Sequence, residues 1–210
     1  MNGKPHGKTT SIWVRVVTLV LVFPFTTNFM NAQSPTPQSP DNAANRRSEE
    51  VGKLIAVLRD AEVRKDHPEK VVSAMQRLGE MRATEAIDDL IELLTFARKF
   101  DWESPDDKMI VEIQLIHTGN RFPATSALFQ IGRPALPALV KVIELDSLGS
   151  LKGQNAMFAI QGIFSDDLSG GVKYLEQAAQ ASSNADSAQR LTQAATQLKQ
   201  LAVQLPSTAK

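Results

Sequence analysis

Ala127-Leu128-Phe129-Gln130-Ile131-Gly132-Arg133-Pro134-Ala135-Leu136-Pro137-Ala138-Leu139-Val140 is the stretch that decides the fold. An apolar run closes on Ile131, a glycine and a proline mark a tight turn, and a second apolar run starts within a few residues. Ala127 stands one helical turn before the branched Ile131, so two helices can approach closely there. Leu139 belongs to the returning helix and fills the space between the pair. The unit is helix, short turn, returning helix.

The same spacing recurs on both sides. Ala74, Leu78, Ile87 and Leu90 are separated by four, nine and three residues, and Ala159, Ile163, Val172 and Leu175 repeat those separations. With Ala127, Ile131 and Leu139 these positions form the expected repeat core. Upstream, Val51, Leu54, Ile55 and Leu58 follow the i, i+3, i+4, i+7 pattern of one helix face, and Pro68 can open a second helix. Gly79 is expected to end that helix in a left-handed conformation, and Thr84 to cap the next one. Sustained strand alternation is missing from this half of the chain.

These residues resemble the HEAT-repeat family, including its HEAT-like bacterial members. The strongest match is Ala127 to Val140, followed by Ala74 to Leu94, with 154–176 as a weaker third. The resemblance implies an all-α fold, a short antiparallel α-helical solenoid of about three HEAT-like helix pairs that presents a surface to other macromolecules. It transfers no catalytic residue.

Two stretches depart from the repeat. Ala74 and Ala127 are 53 residues apart, whereas Ala127 and Ala159 are 32 apart. The longer gap implies an insertion over 98–122. It holds Phe100, Trp102 and Phe122, the acids Glu103, Asp106 and Asp107, and the run Met109 to His117, which suits a strand or a short helix equally. Insertions between repeats gather on one face, often the binding face, so Phe100, Trp102 and Phe122 are the candidate binding residues. The expectation preferred for Phe100 and Trp102 is that both fold back onto the repeats as local core. At the C-terminus, Ala188, Leu191, Ala195, Leu198, Ala202 and Leu205 make an apolar seam with glutamines outside it. A C-terminal capping helix is preferred over self-association, since a terminal repeat needs a polar outer face.

The start of the chain reads differently. Met1 to Arg15 carries Lys4, Lys8 and Arg15 and no acid; a short apolar core follows, and a polar stretch ends at Ala32. This is the pattern of a secretory signal peptide over 1–32. Arg15, Pro24 and Asn28 interrupt the roughly 20 apolar residues that a retained helix needs. Residues 33–47, rich in Pro, Ser and Asn, read as a disordered linker, with the solenoid spanning 48–205 and a disordered tail at 206–210.

Composition narrows the chemistry. The chain has 210 residues, 23 basic against 23 acidic, and no cysteine. The charge balance argues against nucleic acid or an anionic membrane as partner. Without cysteine there are no disulfides and no thiolate metal sites. Asp106-Asp107 and Asp166-Asp167 are expected to act as helix caps rather than metal ligands, and the histidines lack a partner at ligand spacing. No nucleophile elbow or phosphate loop occurs. The expectation is a non-enzymatic, exported interaction module or scaffold, monomeric, with no cofactor and no metal, whose partner is another protein. The alternatives are an accessory subunit of an enzyme or envelope complex, and a structural protein tethered to the membrane by its N-terminus.

Overall fold

The fold is built from amphipathic helices whose apolar faces meet in one continuous core. The computed structural model describes residues 40–98 and 119–204, all of them helix or short connection. Helix α1 spans Pro40–Arg59, α2 Ala61–Asp66 and α3 Pro68–Glu80. A 3-10 turn at Thr84–Ala86 leads into α4, Ile87–Glu92. Helix α5 spans Pro123–Ile131 and, after a 3-10 turn at Arg133–Ala135, the chain returns through α6, Leu136–Leu145. Then come α7 (Leu151–Ile163), α8 (Leu168–Ala181) and α9 (Ala185–Gln204).

The hairpins stack side by side. Helix α3 packs on α5, and α5 on α7; in the second layer α4 packs on α6 and α6 on α9. Helix α1 covers the outer side of α3, and α8 leans chiefly on α9. The chain therefore folds as a HEAT-like helical solenoid. Its core runs unbroken from Val51 in α1 through Leu78, Leu90, Leu128, Ile143 and Ile160 to Leu198 in α9. No described helix is long and apolar enough to cross a membrane.

Close approach of α3, α5 and α7 explains the small residues between them. Ala74, Ala127 and Ala159 are 2%, 1% and 0% exposed. A Cβ on Gly79 would lie 2.9 Å from the Cα of Ala127, so only glycine lets the two helices come so near. Gly79 is thus a packing residue inside α3, not the left-handed terminator expected of it. The terminator is Arg82, at φ 48°. Around it the Ala83 N–H donates to the Leu78 carbonyl (3.0 Å) and the Arg82 N–H to the Gly79 carbonyl (2.9 Å). This is the six-to-one, five-to-two pair of a Schellman ending, with Leu78 and Ala83 both buried beside it. The Thr84 hydroxyl caps nothing; it reaches the Glu85 carboxylate instead (3.4 Å).

The expected linker 33–47 is corrected at its C-terminal end, since α1 already begins at Pro40. A proline is compatible with the first helical turn. Contacts distant in sequence hold this extension: Arg47 donates to the Met81 carbonyl (3.1 Å) and to the Glu85 carboxylate (3.3 Å). Asp60 breaks α1 from α2, accepting the N–H groups of Glu62 and Val63 at 2.9 and 3.0 Å. The expected signal segment 1–32, the remainder of the linker, most of the insertion and the tail 206–210 lie outside the described residues.

Helix α9 turns its seam inward. Leu191, Ala194, Ala195 and Leu198 are buried against α8 and α6, while Gln189, Gln193 and Gln197 face outward. Its first turn hangs on the end of α6, where the Glu144 carbonyl accepts from the Ser187 hydroxyl (3.1 Å) and from the Arg190 guanidinium. From Leu191 to Leu198 the seam is occupied within the molecule, and Leu205 lies outside the described residues.

Candidate functional site: a groove across the hairpin turns

Each hairpin reverses at the same edge of the stack, so three successive turns lie in a row. The ends of α3, α5 and α7 and the turns that follow them, from Gly79 to Thr84, Phe129 to Pro134 and Gly162 to Asp166, line one open groove of about 770 Å³. The stacking order of α3, α5 and α7 alone brings these segments together.

Phe129 lies in the middle. It points outward from α5 and is 44% exposed, more than any other phenylalanine among the described residues. A Cβ on Gly162 would fall 2.8 Å from Phe129 Cδ2, so the ring rests on the bare backbone of α7 as on a shelf. Two arginines, Arg82 and Arg133, line the same groove. Arg133 lies 5.5 Å over the ring of Phe164, a cation–π contact that holds its guanidinium in place. Arg82 is exposed, and among the described residues its side chain forms no hydrogen bond or ion pair. By contrast Glu80, on the same edge, is engaged by Arg77 (3.3 Å). Asp167 caps α8: the Gly170 N–H (2.9 Å) and the Ser169 hydroxyl (2.8 Å) donate to it, and these bonds hold its carboxyl below the usual aspartate range.

The expected repeat-core residues fall as follows. Leu78, Leu90, Leu139, Ala159 and Leu175 are fully buried, and Ala74, Ala127 and Ile131 nearly so. Ile87, Ile163 and Val172 are partly buried and pack against the core from its margin. Of the candidate binding residues, Phe100 and Trp102 lie outside the described residues. Phe122 is 7% exposed, with the Arg121 guanidinium 5.5 Å from its ring. It is therefore a packed residue at the start of α5 and no protruding anchor.

Sequence reasoning passed over three features. The four-nine-three spacing also runs from Ala127 and Ile131 through Val140 and Ile143, which are 9% and 0% exposed. Asn155, 1% exposed, donates its amide to the Leu94 carbonyl at 2.6 Å and ties α7 to the end of α4, 61 residues away. The Arg98 N–H donates to the Arg121 carbonyl (2.8 Å), so the insertion leaves and re-enters the stack at one point. A lone Asn on an apolar helix was the only signal for the second, and nothing local signalled the third. Among the described residues no three metal-ligating side chains converge.

Comparison with known proteins agrees with this geometry. Residues 71–96, which hold most of α3, its turn and α4, match the family model of the PBS lyase HEAT-like repeat. No curated protein and no solved structure matches the chain. HEAT-like repeats are generally protein-interaction modules and typically non-catalytic. The match covers this one hairpin, and the hairpins stacked after it continue a helical solenoid similar to HEAT-like repeats.

Proposed function

We propose that this chain is a non-enzymatic protein-interaction module of the exported compartment, monomeric, that holds a partner protein in the groove across its hairpin turns. The observation that carries this reading is the half-exposed Phe129 ring, seated on Gly162 in a groove that arginines from two successive turns also line. Aromatic and arginine side chains dominate protein interfaces. A groove spanning several repeats gives a partner a continuous track. Export rests on the basic, then apolar, then small-residue pattern of 1–32.

Affinity capture from the exported fraction under mild cross-linking tests the reading. The wild-type chain should retain a partner that Phe129→Ala loses and that Trp102→Ala and Phe100→Ala keep. Loss with the insertion variants and retention with Phe129→Ala would move the interface to the insertion. N-terminal sequencing of the mature protein tests export, with a start at Gln33 expected and an intact Met1 against it.

A further inference from the structure

The groove contains one backbone conformation that its own packing does not require to be arginine. Arg82 occupies the left-handed position of the Schellman ending, where glycine or asparagine is the unstrained choice. Its backbone bonds would be made by any residue. Its side chain is exposed and, among the described residues, spends its charge on no carboxylate. A long cation held at a strained turn and used by no side chain among the described residues points to use by a ligand. The other charges of the groove sharpen this. Glu80 is held by Arg77, Arg133 is fixed over Phe164, and Asp166 sits two hairpins away on the turn after α7, so Arg82 is the cation left for a ligand at the α3 end of the groove.

We infer that the groove selects an acidic, extended segment of its partner, which places an Asp or Glu carboxylate on Arg82 and an apolar side chain against the Phe129 ring. The inference rests on the interaction reading above and supplies its specificity. Arginine suits this task because its planar fork can take a carboxylate through two parallel hydrogen bonds. The apolar half of the recognition comes from the open face of Phe129, since Gly162 supports only the other face.

The test is selection of a random heptapeptide display library on the purified chain, with the selected peptides then measured by fluorescence anisotropy. Selected peptides should carry Asp or Glu within two residues of Phe, Trp or Leu. Their affinity should fall at least tenfold in Arg82→Gly and in Phe129→Ala, weaken with added salt, and stay unchanged in Arg64→Ala at the opposite edge of the stack. Arg82→Gly keeps the fold, because glycine accepts the left-handed conformation, and a Tm unchanged or raised by a few degrees verifies this. Arg82→Lys should recover only part of the affinity. Peptides that lose binding in Phe129→Ala but lack an acid, or that ignore Arg82→Gly, would overturn the acidic specificity and leave the groove as the interface. Peptides indifferent to both substitutions, or no selected peptide at all, would overturn both readings.

Discussion

Replacing Arg82 by glycine should make the protein more stable, although it removes a large side chain. A non-glycine residue in the left-handed helical region costs roughly 1–2 kcal/mol. Glycine gives back about 0.4–1 kcal/mol of that through the greater freedom of the unfolded chain. The Arg82 side chain makes no hydrogen bond or ion pair among the described residues that would have to be subtracted. The net gain is about 0–1.6 kcal/mol, centred near 0.8, which for a domain of this size raises Tm by roughly 2–3 °C. The companion substitution is Gly79→Ala. Its new methyl would meet the Ala127 backbone at 2.9 Å. Such overpacking costs about 1–3 kcal/mol, against about 1 kcal/mol of improved helix propensity. Urea and thermal unfolding of both variants, followed by circular dichroism at the helix band, give the two signs. A less stable Arg82→Gly with a neutral or more stable Gly79→Ala would refute the assignment of the turn, and with it the strain argument for Arg82.

Three further outcomes follow from single side chains. Asn155→Ala leaves the buried Leu94 carbonyl without its donor, and the urea midpoint should drop by the equivalent of about 1–3 kcal/mol; an unchanged midpoint would mean that α7 is not tied to α4 through this amide. Leu198→Ala, at a fully buried position of α9, should cost about 2–5 kcal/mol with no change in the mass measured by light scattering. A change of mass without loss of stability would restore the self-association reading of the seam. The Asp167 carboxyl is held low by the Gly170 N–H and then the Ser169 hydroxyl. Its support of α8 is therefore complete above the usual aspartate range and is lost as pH falls through its depressed native value. Amide exchange at Gly170 should quicken in that acid window, and a Gly170 amide already fast at neutral pH would refute the cap.

Much of the fold could be read locally. The spacing of Ala74, Leu78, Ile87 and Leu90 reports which residues share a helix face, and that property belongs to neighbours three to nine positions apart. Asp167 as a cap was legible for the same reason, since its partners are Ser169 and Gly170. The site was far less legible. Phe129 reads as one more apolar residue in an apolar helix until Gly162 of the next hairpin is placed beneath it. Arg82 reads as a solvated charge until the end of α3 is known.

The sequence alone determined that the chain is helical, that its helices pair through short turns, and that small residues mark where pairs meet, because periodicity and turn chemistry act between near neighbours. Tertiary structure decided where α3 stops, how far α1 extends toward Pro40, and which side chains share the groove. Those outcomes depend on contacts between residues tens of positions apart, such as Gly79 with Ala127 and Arg47 with Glu85. Their energies exist only once the hairpins are stacked, so no local pattern carries them.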